Sequence, residues 1–253
     1  MQRTIRSLRS AFGFLTRLPV GAWPLQKDLD GVSMWLPLVG AVVGGLAGAV
    51  SWAAWAVFAP CPLLLPGIIG CAAWAMVTGG LHLDGVADCG DGLPAEVSRE
   101  RRLEIMKDSR LGTFGGIFLF FCLMLKAAAI GTLFLRAAGG WRFMALCALA
   151  GLLGRVQIFA AMRMPGARKG GMGEAFCRGT RTRHAVAALG VTLVCCALAG
   201  LPGLRALLWA ALASACVLCY ARRRLGGVTG DVFGLSVETT ECAALLSFCL
   251  PPA

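Results

Sequence analysis

The sequence predicts an all-α fold, a polytopic integral membrane helical bundle of about six to seven transmembrane helices, organised as a single membrane domain over residues 1–253. Apolar residues make up 58% of the chain and charged residues only 15%, a balance typical of membrane proteins rather than soluble domains. Apolar stretches long enough to cross a bilayer recur along the chain. Basic residues gather in alternate gaps between those stretches, as expected of a multispanning protein.

Seven apolar segments are the candidate spans. They cover residues 34–59, 62–83, 113–135, 141–162, 184–201, 203–221 and 236–250. A helix that crosses a bilayer needs roughly 20 residues. The last segment is shorter than that, so the sequence leaves open whether it spans fully.

The distribution of Lys and Arg predicts how the protein sits in the membrane. These residues concentrate in residues 1–30 and in the segments 84–112, 163–183 and 222–235. By the positive-inside rule, all of these regions face the cytoplasm. The net charge of +11 therefore has a topological explanation, and we expect no nucleic-acid partner.

Two basic regions are candidates for contact with anionic lipid or substrate. Residues 1–30 are expected to include a helix in the headgroup layer, because Ile5 and Phe12 fall on one side of it and arginines fall elsewhere. Membrane lipid is therefore an expected partner. Arg155 and residues 163–169 could hold a substrate phosphate, although topology explains them equally well.

The twelve cysteines do not indicate a metal or redox site. Most lie inside apolar segments, where cysteine serves as a small packing residue. Cys216 and Cys219 form a C-x-x-C pattern, but it falls within a predicted membrane helix and has no second pair. Zinc binding is therefore not expected.

The first polar segment places carboxylates at the end of an apolar run. Asp84, Asp88 and Asp91 are spaced i, i+4 and i+7 in a chain with only 13 acidic residues, and this spacing puts them on one face of a helix. Carboxylates so close repel one another unless protons or cations neutralise them, and oxygen ligands suit a hard divalent ion such as Mg²⁺. The segment predicts a metal-phosphate site at a membrane surface.

The glycines and the histidine near these acids also lead to predictions. The glycines are expected to loosen the helix and to let phosphate or metal approach its backbone; they are Gly85, Gly90 and Gly92. His82 lies beside the acids. A lone histidine at a membrane boundary is more often a hydrogen-bonded structural residue than a ligand.

The second polar segment, residues 102–116, combines cations with a loop that leads into an apolar helix. Asp108 could join the metal or orient a nucleophile, and the loop resembles an anion site at a helix N-terminus. Basic and hydroxyl side chains here offer donors to phosphate. The candidate substrate-binding residues of this segment are Lys107, Ser109, Arg110 and Thr113.

The third polar segment leads into the last apolar run. Asp231 and Glu238 repeat the i, i+7 spacing of the first segment, so both are candidate metal ligands. Thr229 precedes them and is a candidate substrate-binding residue. The spacing of Gly227 and Asp231 also matches that of Gly80 and Asp84, which is weak evidence for an internal repeat.

Four stretches of the chain closely resemble the cobalamin synthase family, also called adenosylcobinamide-GDP ribazoletransferase. They are FLTRLPV at 14–20, GGLHLDGVAD at 79–88, LEIMKDSRLGT at 103–113 and GGVTGD at 226–231. The resemblance covers essentially the whole chain in the same order. It implies a multi-pass enzyme of the bacterial inner membrane, with its active site facing the cytoplasm, that performs the last step of nucleotide-loop assembly.

The reaction that the resemblance implies requires Mg²⁺. It joins adenosylcobinamide-GDP to α-ribazole or α-ribazole 5′-phosphate and releases GMP. A ribose hydroxyl must then attack the corrinoid-proximal phosphorus of a diphosphate, so the site must neutralise the diphosphate and stabilise the departing GMP. The residue predicted to accept the hydroxyl proton is Asp91, with Asp88 and Asp108 as alternatives. The sequence leaves open whether the protein forms a homo-oligomer.

Ion ligands and charge-balancing groups follow from the same chemistry. Lys107 and Arg110 are predicted to balance the charge on GMP. One or two Mg²⁺ ions are predicted on carboxylates of the first and third segments; these are Asp84, Asp88, Asp91, Asp231 and Glu238.

Two other functions account for some of the same residues. A transporter of a divalent cation or a corrinoid would use the acids to line a route, and acids in the middle of spans would favour it. The element from Asp84 to Asp88 also looks loosely like the signature of the CDP-alcohol phosphotransferases, which act on other substrates. The chain departs from that signature at Asp88 and downstream of it.

Overall fold

The protein is a bundle of helices, as predicted. The computed structural model describes residues 2–20, 31–59, 62, 64–137, 140–168 and 180–251. Its α-helices are α1 Gln2–Leu15, α2 Leu36–Phe58, α3 Leu64–Thr78, α4 Leu81–Gly92, α5 Arg99–Ile105, α6 Thr113–Arg136, α7 Gly140–Val156, α8 Ile158–Ala161, α9 Thr182–Leu198, α10 Gly200–Leu225 and α11 Gly230–Phe248. A short 3₁₀ helix, Val32–Trp35, precedes α2. Parts of two predicted cytoplasmic regions, 21–30 and 169–179, lie outside the described residues.

Among the described residues, fewer helices have the length and composition of a membrane span than the six to seven predicted. Within the described ranges, four helical stretches are long and apolar enough to cross a membrane, and a fifth is added if α3 and α4 count as one bent span. The four are 32–58, 113–136, 140–161 and 200–225. Helix α9 is apolar but shorter, and α11 carries acidic residues along its length. The all-α membrane class is confirmed, and the number of spans stays a prediction.

Close backbone contact holds the centre of the bundle together. Helices α2 and α7 touch where glycines face each other, because a methyl group at Gly40 would overlap the carbonyl of Gly151, and one at Gly44 would overlap that of Cys147. Contact at this distance gains dispersion energy that larger side chains would prevent. Fully buried side chains such as Leu36 and Phe143 fill the surrounding core.

The predicted span 62–83 is wrong as a single helix. The chain leaves α3 at Thr78, and Gly79 and Gly80 adopt φ of +63° and +72°, a left-handed conformation that glycine tolerates best. Helix α4 then runs at 97° to α3. Arg17 covers this corner, since its backbone N–H donates to the Val77 carbonyl at 2.7 Å and its side chain packs on Gly79. The acidic residues therefore lie on a separate helix.

The glycines of α4 do not loosen it. The helix is continuous over Leu81–Gly92, which corrects the expectation from the sequence. Each glycine instead admits a neighbour, with Gly90 against Phe118 of α6 and Gly92 against Met106. Gly85 serves the same purpose toward α11. Small residues here permit close helix packing rather than access for a ligand.

Helix α1 rests against the bundle by its C-terminal half. Ala11 and Leu15 are buried in the main core, whereas Ile5 is half exposed. The indole N–H of Trp35 donates to the Ser7 hydroxyl at 2.9 Å and ties α1 to the 3₁₀ helix. The amphipathic pattern thus reflects packing on protein, and contact with the headgroup layer stays a prediction.

Candidate active site

The acids of α4 lie where that helix meets the start of α11. A methyl group at Gly85 would overlap the Asp231 carbonyl, and one at Gly234 would crowd the backbone of His82. The two helices therefore touch through their backbones. This contact brings Asp231 beside α4, which carries Asp84 and Asp88 one turn apart.

A cap fixes the local conformation around Asp231. Thr229 is the N-cap of α11, and its hydroxyl oxygen accepts a hydrogen bond from the Val232 N–H at 3.3 Å. The same hydroxyl lies 3.1 Å from the Asp231 carboxylate, to which it can donate. Thr229, predicted to bind substrate, thus orients a neighbouring carboxylate in this structure.

Electrostatic repulsion marks Asp84, Asp88 and Asp231 as one group, which we call the acidic cluster. Helix α4 and the first turn of α11 lie outside the four spanning stretches. Partial burial raises the pKa of Asp88 to about 7, and repulsion from Asp231 and Asp84 adds to the effect. Burial also raises the pKa of Asp231, with a contribution from Asp84. Such a group favours any cation that neutralises it.

Asp91 has a different environment from the acidic cluster. Its two carboxylate oxygens accept backbone N–H bonds from Gly112 and Gly115, each at 2.8 Å. These donors belong to the first turn of α6, so Asp91 satisfies N–H groups that the helix leaves unpaired. A side chain at either glycine would overlap the carboxylate. Asp91 therefore caps α6, and its predicted roles as base and metal ligand gain no support from this geometry.

The structure does not bring Glu238 to the acidic cluster. Glu238 lies two turns further along α11, about 10 Å away, and Lys126 of α6 contacts it at 2.5 Å. Lys126 also contacts Glu241 at 2.5 Å, and Arg155 of α7 pairs with Glu241. All four side chains are at most 2% exposed. We call this set the buried ion-pair network.

The network explains charges that the sequence left isolated. Lys126 and Arg155 each lie inside an apolar segment, where an unpaired charge is very costly. Glu238 and Glu241 are also embedded in an apolar segment, so matching the two pairs would have predicted the network. Lys126 lies 4.8 Å from the centre of the Trp74 ring as well, a cation–π contact that further compensates its burial.

His82 lies between the two sets of charges. It is 4% exposed, and within the described residues neither ring nitrogen has a hydrogen-bond partner. The expectation of a hydrogen-bonded histidine is therefore not met. Close packing of α4 on α11 sets the His82 backbone against Gly234.

The loop of the second segment is exposed. The Arg110 guanidinium donates to Asp108 at 2.6 Å and holds the pKa of that carboxyl down at about 2, so Asp108 is a poor base. Lys107, Ser109 and Thr113 are exposed near the end of this loop. The bond from Gly112 to Asp91 places the loop at the end of α4, which is the contact that relates it to the acidic cluster.

Three arginines tie the surrounding loops together through backbone carbonyls, and we call them the arginine clasp. Arg99 donates to the carbonyls of Leu225 at 2.6 Å and Ala167 at 3.0 Å. Arg102 donates to the carbonyl of Arg224 at 3.2 Å. Arg224 in turn donates to the carbonyls of residues 93 and 95 at 2.9 Å and 2.8 Å. These guanidinium groups fix backbone at the end of α10.

The donor set of the acidic cluster suits a hard divalent cation. Its carboxylate oxygens match the preference of Mg²⁺, and their mutual repulsion would be relieved by one. Within the part of the chain that the structure describes, however, no three His, Cys, Asp or Glu side chains converge closely enough to hold an ion. Mg²⁺ commonly takes only one or two protein carboxylates and completes its shell with water and substrate phosphate.

The fold and this site define a polytopic membrane protein with a cluster of mutually repelling carboxylates where α4 meets α11. Comparison with known proteins gives the family. The profile described as cobalamin-5-phosphate synthase matches residues 7–249, and the chain belongs to that family. The resemblance noted in the sequence is confirmed.

Relatives from distant bacteria carry one name, adenosylcobinamide-GDP ribazoletransferase. The protein of Klebsiella pneumoniae (strain 342) is 38% identical and aligns over 96% of this chain and 99% of its own. That of Pseudomonas aeruginosa is 36% identical over 99% and 100%. That of Roseiflexus sp. (strain RS-1) is 36% identical over 95% and 88%. No solved structure matches this chain.

Proposed function

We propose that this protein transfers the adenosylcobinamide-phosphate group from adenosylcobinamide-GDP to α-ribazole or α-ribazole 5′-phosphate. The products are adenosylcobalamin, or its 5′-phosphate, and GMP. The relatives that match along nearly the whole chain are named for this transfer, and the protein is accordingly a transferase of cobalamin biosynthesis. The observation that carries the proposal within the structure is the mutual repulsion of Asp84, Asp88 and Asp231 where α4 packs on α11.

In the transfer, a ribose hydroxyl oxygen bonds to the corrinoid-proximal phosphorus as the bond from that phosphorus to the GMP oxygen breaks. Bound Mg²⁺ would neutralise the diphosphate and stabilise the leaving phosphate. Asp84, Asp88 and Asp231 are the residues that would hold the ion. The backbone contact between α4 and α11 keeps these carboxylates at fixed spacing, so the protein reorganises little during reaction.

The proton of the attacking hydroxyl needs an acceptor. Both oxygens of Asp91 are engaged by α6, and Arg110 lowers the basicity of Asp108. Asp88 is subject to neither constraint, and a carboxylate oxygen of Asp88 that does not bind the ion could accept the proton. It is therefore our candidate base in place of Asp91.

We also propose that the site opens to the cytoplasm at the bacterial inner membrane. The bias of Lys and Arg toward the segments 84–112 and 222–235 supports this orientation. GMP and the nucleotide part of the substrate are water-soluble, so a site that opens to the cytoplasm suits them.

A transporter is the second function that the sequence left open, and the structure does place acids inside the bundle. Those acids are Glu238 and Glu241, each paired with a cation and at most 2% exposed. A route for an ion needs carboxylates that can exchange partners. Buried acids that are already paired with cations favour a structural role. They therefore do not support the transporter hypothesis.

The test is release of GMP by protein purified in detergent with lipid. Adenosylcobinamide-GDP and α-ribazole are supplied with and without Mg²⁺, and GMP and cobalamin product are quantified together. We expect both products only with the metal. A folded protein that forms neither would exclude the proposed transfer, and product formed equally well in chelator would remove Mg²⁺ from it.

A further inference from the structure

The acidic cluster has a cation at its edge, the guanidinium of Arg168. The Arg168 guanidinium lies 3.6 Å from the Asp231 carboxylate, and both side chains are about three-quarters buried. Arg168 therefore lies against Asp231 rather than on an open surface.

Backbone hydrogen bonds hold the segment that carries Arg168. The Ala167 N–H donates to the Val228 carbonyl at 2.8 Å, and the Val228 N–H donates to the Pro165 carbonyl at 2.9 Å. Arg99 of the arginine clasp fixes the Ala167 carbonyl. Because Val228 directly precedes the cap of α11, one short stretch of chain sets the positions of both Arg168 and Asp231.

The guanidinium retains unused donors. One terminal nitrogen donates to the Leu103 carbonyl at 2.7 Å, but the distance to Asp231 is longer than a charge-assisted hydrogen bond, which is usually about 2.7–2.9 Å. The Nε–H is buried and has no partner within the described residues. An unpaired buried donor is unfavourable, so this geometry is incomplete without another acceptor.

Four arginines near the site are committed elsewhere, whereas Lys107 is exposed on the loop. Arg99, Arg102 and Arg224 donate to backbone carbonyls, and Arg110 is folded onto Asp108. The arginine fork matches a phosphate group, which can accept from two of its N–H donors at once. A phosphate at the acidic cluster would supply the acceptor that Arg168 lacks.

We propose that Arg168 binds a phosphate of the nucleoside-diphosphate-linked substrate. This inference rests on the proposed function and deepens it, since it assigns the diphosphate a protein ligand besides the carboxylate-bound cation. The guanidinium shares Asp231 in the free protein and turns its unused N–H donors to phosphate when substrate arrives. The acceptor nucleoside makes no use of it.

The test separates the two substrates by binding without turnover. Adenosylcobinamide-GDP is equilibrated with the protein in the absence of α-ribazole, and bound corrinoid is read by absorbance after dialysis. We expect Arg168→Gln to weaken this binding by roughly 10- to 100-fold, as for loss of hydrogen bonds to a charged group. Arg168→Lys keeps the positive charge but lacks the planar guanidinium. Its affinity for adenosylcobinamide-GDP should lie between those of the wild type and Arg168→Gln.

A matched control is Arg222→Gln, which removes an exposed arginine from the last turn of α10. It should bind as the wild type does. In steady-state assays Arg168→Gln should raise KM for adenosylcobinamide-GDP and leave KM for α-ribazole within twofold. An equal rise in both values, or unchanged binding of the diphosphate substrate, would overturn the proposal.

Excess Mg²⁺ provides a further discrimination. If Arg168 acted only by balancing Asp231, saturating metal would restore wild-type affinity to Arg168→Gln, and that result would overturn the assignment. A deficit that persists at saturating metal supports it. Failure of the wild-type protein to form GMP would count against the proposed function itself, whereas an active wild type with an unaffected variant counts against Arg168 alone.

Discussion

Two sets of carboxylates share helix α11 and differ in how their charge is balanced. In the acidic cluster, Asp231 joins Asp84 and Asp88 with one guanidinium 3.6 Å away. In the buried ion-pair network, Glu238 and Glu241 are matched by two cations, Lys126 and Arg155. From their spacing in the sequence, Asp231 and Glu238 were equally good candidates for metal ligands. The difference lies in the cations that the other helices place nearby. Carboxylates with few such cations remain available to bind a ligand, whereas fully paired ones hold helices together.

The largest effect that follows from this comparison concerns the acidic cluster. Asp84→Asn or Asp88→Asn keeps size but removes a charge, and we expect GMP release to fall roughly a thousandfold, the scale seen when preorganised electrostatic groups are lost. Thermal unfolding should be unchanged or slightly improved, because repulsion is relieved. Glu104→Gln, an exposed acid on α5, is the control. Full activity in either Asn variant would remove that residue from the mechanism.

The buried ion-pair network should respond in the opposite way. Lys126→Met leaves two buried carboxylates with one cation, and we expect about 3–5 kcal/mol loss in the free energy of unfolding. The double variant Lys126→Met with Glu238→Gln restores neutrality, since Arg155 still pairs with Glu241, and should recover most of the loss. Denaturation in detergent measures both.

Turnover of that double variant sharpens the comparison further. If Glu238 only ties helices together, the folded double variant should release GMP within about tenfold of wild type. A loss as large as that of Asp84→Asn would return Glu238 to the predicted set of metal ligands.

The contact between α4 and α11 should show a smaller effect on rate. Gly85→Ala places a methyl group against the Asp231 backbone and pushes the carboxylates apart. A misplacement of about 1 Å can lower turnover roughly 100-fold. Gly190→Ala on α9 is the matched control, because a methyl group there meets nothing within 4 Å. Equal activity in both variants would show that the spacing is not critical.

The smallest expected effect is at Asp91. If this carboxylate mainly caps α6, Asp91→Asn should lower the unfolding free energy by about 1 kcal/mol, because the amide oxygen can replace one of two bonds. Turnover should fall less than tenfold in the folded variant. A thousandfold loss with unchanged stability would instead support the predicted role as base.

The sequence predicted that the acids of α4 share one helix, but not which residues of other helices surround them. The spacing of Asp84, Asp88 and Asp91 correctly predicted one helix, since i, i+4 and i+7 report only local geometry. The two glycines at residues 79 and 80 permit a turn without dictating its 97° angle. That angle depends on Arg17 and on packing against other helices, which no local pattern encodes.

Long-range contacts account for what the sequence could not show about these residues. Asp91 is committed by N–H groups some twenty residues later, and Glu238 by Lys126 on another helix. Arg168 belongs to a stretch whose position depends on a bridge to Val228. Composition and periodicity describe one segment at a time, so they identify the candidates but not which of them meet.

The arginine clasp gives the same side chains two tasks at two stages of the protein's life. By the positive-inside rule, Arg99, Arg102 and Arg224 would help keep their segments on one side of the bilayer during insertion, before the helices pack. Once the bundle closes, the same groups fold onto carbonyl oxygens and fasten the loops. Lysine would supply the positive charge during insertion. It lacks the several N–H donors of the guanidinium that bind the carbonyls in the folded protein, so arginine suits both roles.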